Sequence, residues 1–402
     1  MIVGIDASNL RAGGGLTHLR ELLAAADPEK HGVQTVIVWG GRATLDELPE
    51  RSWLEKRHQP WLDRSMAHRV LWHRWRLPLL ARHAGCSVLF CPGGLAPRGF
   101  RPVVTMCQNL LPFEWSEMRR YGISWMFLRL LLLRWMQVDT FRRADGVIFL
   151  TSYVQQLVMA VAGPLSGETR IIPHGVNEQF FCEPRPPRRI GRACDASPFR
   201  IVYVSAVNVY KHQWHVAEAV ARLKTVGLPV EIEFVGPAYP PARRRLEATM
   251  RRLDPAGVFI RYRGFVPHSQ LPEVYKRADL CVFASSCENL PNILLESMAA
   301  GLPIACSDRG PMREVLGEAG VYFDPEDPES IAKVVRKLIE SPDLRAEKAR
   351  MAFDRAQGYS WRRCADETFS FLATVARARG TGRGRDAVSR MKEAHASVLR
   401  AY

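Results

Sequence analysis

The stretch that most limits what this chain can fold into runs from Leu280 to Pro303. An apolar segment, Leu280-Cys281-Val282-Phe283-Ala284, leads to a polar stretch containing Glu288, then to Pro291, and then to Glu296, eight residues after the first glutamate. Proline's fixed φ and missing N–H suit the first turn of a helix. The pattern predicts a buried strand over 280–284, a loop, and a helix starting between Asn289 and Pro291. Such a start presents free N–H groups and a partial positive charge, which together hold an anion such as a diphosphate. Glu288 then falls in the loop mouth, and Glu296 lies about two turns farther along. It is placed to reach a second part of a ligand whose phosphates lie over the helix start. A nucleotide-sugar fits that geometry; the alternative is a solvated helix charge beside a loop charge.

The same strand-loop-helix alternation recurs along the chain, with short Val/Ile-rich runs between longer amphipathic stretches, as in parallel sheets covered by helices. Met1–Ile5, Val33–Trp39, Val88–Phe90, Val103–Met106 and Gly146–Leu150 read as one series of strands. A second series comprises Arg200–Ser205, Glu231–Val235, Val258–Tyr262, Leu280–Ala284 and Pro303–Ser307. The fold class is therefore α/β, with two Rossmann-like domains, and 402 residues suffice for two cores. Between the series, Glu183-Pro184-Arg185-Pro186-Pro187-Arg188-Arg189-Ile190-Gly191-Arg192 cannot continue a helix or central strand. The expected division is 1–183, a linker over 184–199, a second domain over 200–360, and a basic tail from 379 to 402.

Further motifs follow in a fixed order. They are Asp6-Ala7-Ser8-Asn9-Leu10-Arg11-Ala12-Gly13-Gly14-Gly15, Ile171-Ile172-Pro173-His174-Gly175-Val176, and Val202-Tyr203-Val204-Ser205 with Lys211. Then come Tyr262-Arg263-Gly264-Phe265-Val266, Glu273-Val274-Tyr275-Lys276-Arg277-Ala278-Asp279, the glutamate block, Val321-Tyr322-Phe323-Asp324-Pro325 and Tyr359-Ser360-Trp361. The glutamate block, read as Ser-x-x-Glu-x-x-Pro leading to Glu-x-Met-Ala-x-Gly-x-Pro, resembles the glutamate-pair motif of the retaining glycosyltransferases of family four. The resemblance spans roughly residues 1 to 375.

That resemblance implies a GT-B fold, two Rossmann-like domains facing a central cleft, with a last helix over 361–378 crossing back to the first, acceptor-side domain. It implies transfer of a hexosyl-type group from a nucleoside-diphosphate sugar to an acceptor hydroxyl with retention. Lys211 would neutralise the leaving diphosphate, where charge develops as the bond breaks, and Glu288 would contact the donor sugar. Glu296 would bind the ribose hydroxyls, and the backbone of Asn289, Leu290, Pro291 and Asn292 would line the sugar and phosphate path. Arg263, Phe265 and Val266 would border the base. Gly13, Gly14 and Gly15 would lie near the donor phosphates and acceptor, although a tight strand-to-helix turn also explains them. His18 stands where the last glycine of the dinucleotide fingerprint would be.

Two departures from the family pattern stand out. Ser205-Ala206-Val207-Asn208-Val209-Tyr210 lacks the arginine that usually precedes the lysine; Asn208 is expected to supply a hydrogen bond, and His212 is a candidate second donor to the phosphates. After Val103–Met106, where many relatives carry a histidine, this chain has Gln108 and Asn109. Neither is a base, but either hydrogen-bonds a sugar hydroxyl or caps the next element. His174 is read as lining the cleft, a structural hinge residue rather than an acid or base.

No Asp-x-Asp and no His/Cys cluster supports a metal site, so the expected cofactors are none, with the nucleotide-sugar as substrate. The nine cysteines show no paired framework, which suits free thiols in a reducing cytoplasm. Met1–Asp6 lacks a basic, apolar leader, and Arg129 and Arg134 interrupt the apolar segment Trp125–Met136, so neither a signal peptide nor a spanning helix is expected. The chain carries a net charge of +15, of which +10 (16 basic less 6 acidic) falls in residues 51–150 with seven of the ten tryptophans. That mixture suits the inner, anionic membrane face or a lipid-diphosphate acceptor, with Leu128–Trp135 as the contact; the alternative for that segment is a buried helix with two rim arginines. No nucleic-acid motif accompanies the charge. The expected partners are the nucleotide-sugar donor, a glycan or lipid-linked acceptor and an anionic membrane. The setting is bacterial cell-surface polysaccharide synthesis, such as that of lipopolysaccharide. The alternatives are a related-fold epimerase or phosphorylase, and a non-catalytic sugar or membrane binder.

Overall fold

Two parallel sheets organise the computed structural model of this chain, which describes residues 1–11, 13–188 and 198–380. Ala12, linker residues 189–197 and the expected tail over 381–402 lie outside the described residues. The first sheet has β1 (Ile2–Asp6), β2 (Thr35–Gly40), β3 (Leu54–His58), β4 (Val88–Cys91), β5 (Val103–Met106), β6 (Gly146–Phe149) and β7 (Glu168–Ile171), in the order β3-β2-β1-β4-β5-β6-β7. The second has β8 (Phe199–Val204), β9 (Val230–Val235), β10 (Ile260–Gly264), β11 (Leu280–Phe283), β12 (Ile304–Ser307) and β13 (Gly320–Phe323), in the order β10-β9-β8-β11-β12-β13. Every strand pair is parallel.

Central strands β4, β5, β6, β11 and β12 are buried along their whole length. This is what a sheet covered on both faces requires, and it explains why they appear in sequence as continuous apolar runs. The strands that the hydrophobic pattern did not pick out, β3, β7 and β13, are all edges. β3 (Leu-Glu-Lys-Arg-His) and β7 (Glu-Thr-Arg-Ile) carry charged or polar residues because one side faces no neighbouring strand.

The chain divides into two compact units: Met1–Asn109 with Leu131–His174 and Trp361 onward, and Leu110–Leu130 with Gly175–Ser360. The first break in the expected division is Leu110–Leu130, which position in sequence alone assigns to the first domain. It belongs to the second unit because Arg120 pairs with Glu326 at 2.6 Å and Tyr121 donates to Asn208 Oδ1 at 3.0 Å. Residues 175–183 join the second unit as well, with Cys182 N donating to Ala299 O at 2.9 Å. The helix Trp361–Gly380 belongs to the first unit, where His31 Nε2 lies 3.0 Å from Asp366 and Arg377 donates to His31 O.

Candidate active site

In the second unit, the order of strands reverses between β8 and β11, and the loops leaving their carboxyl ends lie side by side. Open α/β sheets place their ligands at such a reversal. The loop after β8 carries Lys211; the loop after β11 carries Glu288. Ser286 N donates to Tyr210 O at 2.9 Å, Ser286 Oγ donates to the same carbonyl at 3.2 Å, and Tyr203 OH donates to Lys211 O at 2.8 Å. These bonds hold the two loops in one register. Gly236, from the neighbouring β9 loop, presses so closely on Ser205 that a Cβ there would meet the Ser205 carbonyl oxygen at 2.3 Å, and its φ of 142° excludes most other residues.

Lys211 and Glu288 meet as a direct ion pair, each largely buried, and Lys211 Nζ sits 5.3 Å from the Tyr210 ring and 5.5 Å from that of Phe283. Aromatic walls and a carboxylate thus fix a cation in a site of low dielectric, where it acts strongly on a neighbouring anion.

The helix beyond Glu288 spans Asn292–Ala299, starting just after the expected interval, and Pro291 stands before it as its N-cap with an extended ψ of 95°. Proline's ring restricts φ but leaves ψ extended here, so the first helical residue is Asn292. Pro291 O accepts from Leu294 N at 2.9 Å and Leu295 N at 3.1 Å. Asn289, Leu290 and Pro291 are buried and Asn292 is partly exposed. Glu296 is only 6% exposed. Its Oε1 lies 2.8 Å from His268 Nε2, whereas Oε2 is buried without a hydrogen-bond partner. Burial raises its carboxyl pKa above the ordinary 4.5, and His268 offsets part of that rise. An orphaned buried acceptor of this kind matches a ligand that brings hydroxyl donors.

His268 was missed in sequence because it lies twenty-eight residues from Glu296, at the start of the single 3-10 turn His268–Gln270. Its ring packs on Phe180 at 4.9 Å.

Other candidates find different surroundings. His212, the candidate second donor to the phosphates, has a fully buried ring, with Nε2 2.9 Å from Ser286 Oγ, stacked on His215 at 5.4 Å. Burial, with Arg120 as the next cause, pushes its pKa down to about 3, so the imidazole is neutral at pH 7. Its φ of 52° is the left-handed conformation, and no other non-glycine residue among those described adopts a positive φ. The ring ties the Lys211 loop to the Glu288 loop. Asn208 has its Oδ1 occupied by Tyr121 OH and by Val209 N at 2.8 Å. Nor is the missing arginine of the Lys211 loop replaced by a free Arg120, because that guanidinium is held between Glu117 at 2.7 Å and Glu326 at 2.6 Å.

Arg263 falls where the β9–β10 register shifts, so it bulges outward and is exposed, beside Arg200, Arg261 and Arg277. Phe265 is 72% exposed, whereas Val266 is buried.

In the first unit, Gly13 has a φ of 71° and is open, and Gly14 begins the helix Gly14–Ala25. Gly15 has the tightest requirement, since a Cβ there would meet Gln108 Oε1 at 2.8 Å. Gln108 Nε2 lies 3.4 Å from His18 Nδ1, and Asn109 is exposed. His174 is no open lining residue: it is buried, stacked on His18 at 4.6 Å and on Trp361 at 5.5 Å. The stack pins the Pro173-His174-Gly175 turn to the helix starting at Trp361. The segment read either as a membrane contact or as a buried helix is one face of the helix Trp125–Arg143. Trp125 is 80% exposed and Trp135 is 67% exposed, with Leu128 and Leu132 between them also exposed, so the buried alternative fails. Among the described residues no helix is long and apolar enough to cross a membrane, and no group of three His, Cys, Asp or Glu is placed to hold a metal.

Family models match both halves of the chain. Residues 12–180 match Glycosyltransferase Family 4, and residues 198–341 match Glycosyl transferases group 1. The chain belongs to the family four, group 1 glycosyltransferases. Within this family it is 31% identical over 112 residues to the O-antigen chain mannosyltransferase B of Escherichia coli, covering 28% of this chain and 29% of that protein. Over 231 residues it is 25% identical to the glycogen synthase of Mycobacterium tuberculosis, covering 56% and 53%. The chain thus spans between under a third and about half of these curated relatives. The structure of Anabaena HepE in complex with UDP-glucose matches with a TM-score of 0.66 at 17% identity, over 92% of this chain and 100% of that one. The shared fold is GT-B.

Proposed function

We propose that this family four protein is a retaining glycosyltransferase, moving a hexosyl-type group from a nucleoside-diphosphate sugar to a hydroxyl of a glycan or lipid-linked acceptor in cell-surface polysaccharide synthesis. The observation that carries the reading is the buried Glu296, its Oε2 unpartnered, one short helix away from the Lys211–Glu288 ion pair. In this reading Glu296 receives the ribose hydroxyls, with His268 holding its other oxygen. The diphosphate lies over the start of Asn292–Ala299, and Glu288 meets the donor sugar.

The bond from the anomeric carbon to the diphosphate oxygen breaks as the acceptor oxygen bonds to that carbon on the same face. The acceptor's proton passes to the departing diphosphate, and Lys211, released from Glu288 or shared with it, stabilises the charge left there. This reading calls for no resident cofactor and no metal, because Lys211 and the N-terminus of Asn292–Ala299 would meet the phosphates. The O-antigen relative and the UDP-glucose complex of HepE support a sugar-polymer setting and a nucleotide-sugar donor. The exposed Trp125, Leu128, Leu132 and Trp135, in a window of net charge +10, support a peripheral contact with an anionic membrane from the cytoplasmic side.

The deciding experiment is a thermal-shift screen against a panel of nucleoside-diphosphate sugars, followed by turnover with the stabilising donor. One donor is expected to raise the Tm of the unaltered protein, and Glu296→Gln is expected to lose most of that rise. If no member of the panel shifts the Tm, the reading is wrong.

A further inference from the structure

At the carboxyl end of β1, a group of polar side chains has no role in the donor chemistry. Asp6, the last residue of β1, is 4% exposed. Its Oδ1 accepts from Ser8 N at 2.9 Å, and its Oδ2 lies 3.3 Å from His73 Nε2. The direction misses a hydrogen bond, so His73 Nε2 is buried with its bonding capacity unused. Ser8 Oγ, in the same loop, is likewise buried without a hydrogen-bond partner.

His73 stands on a π-helical turn, Trp72–Arg76, between the helices Met66–Leu71 and Leu77–His83. Such turns re-aim side chains and recur at functional sites. This one is firmly anchored, since Trp72 is buried and donates from Nε1 to Gln59 Oε1 at 3.1 Å. One turn earlier, Arg69 Nε is also buried and unbonded. Burial and nearby Arg11 lower the Arg69 pKa, which is what two guanidiniums sharing a small region would do.

β1 and β4 are the strands between which the order of the first sheet reverses. The loops leaving them touch, because a Cβ on Gly93 would lie 3.5 Å from Asn9 Cβ. Ligands of open α/β sheets sit outside the carboxyl ends of the strands at such a reversal. A carboxylate, an imidazole and a hydroxyl suit vicinal sugar hydroxyls, while a guanidinium fork matches the oxygens of a phosphate ester.

We propose that Asp6, Ser8 and His73 form a hydroxyl-binding subsite for the glycosyl acceptor, and that Arg69, with Arg11 beside it, takes an anionic phosphate or diphosphate ester carried by that acceptor. The proposal rests on the reading of this protein as a glycosyltransferase, and it names the acceptor class.

The test uses full-length protein saturated with the nucleoside diphosphate that most raises its Tm. The probes are the 1-phosphates of mannose, glucose and galactose, each with its uncharged methyl glycoside, titrated by calorimetry. In the unaltered protein one 1-phosphate is expected to bind at least tenfold tighter than its methyl glycoside. Arg69→Gln is expected to erase that preference and leave the methyl glycoside unaffected, whereas Asp6→Asn and His73→Gln weaken both probes about tenfold. The nucleotide-induced Tm rise stays intact in all three variants. If Asp6→Asn does not fold, His73→Gln alone decides the hydroxyl arm. A phosphate preference that survives Arg69→Gln, unchanged affinities in a folded His73→Gln, or no binding of either probe by the unaltered protein would each overturn the proposal. A failure of every nucleoside diphosphate to shift the unaltered protein would instead remove the underlying donor reading.

Discussion

The two units use buried polar groups differently. In the second, the loops after β8 and β11 are bonded to each other: Lys211 to Glu288, His212 to Ser286, Tyr203 and Ser286 to carbonyls of the Lys211 loop. In the first, Ser8 Oγ, His73 Nε2 and Arg69 Nε keep unused bonding capacity, and the helix Trp125–Arg143, whose residues fall in both units, shows an apolar face. A grip on a diphosphate needs groups already in place where charge develops, because reorganisation at that moment raises the barrier. Recognition of an acceptor or a membrane needs unsatisfied groups instead. In the proposed roles, loops already bonded to each other mark the donor side, which keeps Glu296 Oε2 unspent for the donor's hydroxyls, while Ser8 Oγ, His73 Nε2 and Arg69 Nε stay unspent for the acceptor.

The sharpest way to break this contrast is Lys211→Ala. It removes the cation expected to face the leaving diphosphate and leaves Glu288 buried without its partner, so turnover should fall about 10²- to 10³-fold and stability by about 3 kcal/mol. Lys211→Met combined with Glu288→Gln should restore most of the stability, measured by urea unfolding, without restoring turnover. Unchanged turnover in Lys211→Ala would show that the ion pair is structural only.

Next in size, Glu296→Gln should raise the donor KM about tenfold, roughly the value of one charge-assisted hydrogen bond, with a smaller change in kcat. It also carries a pH signature. The folded pKa of Glu296 lies above 4.5, so the native state holds more protons than the unfolded one in the interval between the two values. Its contribution to stability is therefore full below pH 4.5 and declines as pH rises through the folded pKa. Glu296→Gln should abolish that decline, and unfolding curves that stay parallel from pH 4 to 8 would show that Glu296 is not desolvated.

His212 gives the opposite effect. Its folded pKa of about 3 lies below the ordinary 6.5, so stability is present above pH 6.5 and is lost as pH falls toward 3; His212→Asn should flatten that slope. Because φ is +52°, His212→Gly should be about 1 kcal/mol more stable than His212→Ala, though both lose the link to Ser286. Equal stabilities would mean that the left-handed backbone relaxes in the variants.

The least change in stability is expected from Trp125→Ser with Trp135→Ser, within about 0.5 kcal/mol for exposed positions. Co-sedimentation with vesicles containing anionic lipid should nevertheless drop several-fold, more at low salt than at high. Undiminished co-sedimentation would place the membrane contact elsewhere.

Local patterns were legible because their physics is local. A continuous apolar run reports a strand covered on both faces, so β4, β6 and β11 could be read directly, and the block from Ser286 to Pro303 reported both glutamates and the helix that carries the second. Edge strands β3 and β7 were hidden because half their bonding surface meets no neighbour and their side chains turn polar. His268, Ser286 as the partner of His212, Tyr121 and Arg120 could not be assigned their contacts. Each depends on a pairing across 28 to 206 residues, which no periodicity encodes.

By itself the order of residues determined two parallel α/β units, the glutamate pair eight positions apart, and the lysine that follows β8. Those features follow from strand and helix periods and from the chemistry of single side chains. Tertiary structure alone decided that Leu110–Leu130 packs with the second unit, that His212 and His174 are buried, that the Trp125 to Trp135 stripe is exposed, and that Asp6 meets His73. A side chain's direction and its partner depend on how distant strands are ordered in a sheet, and that order is a property of the whole packed chain.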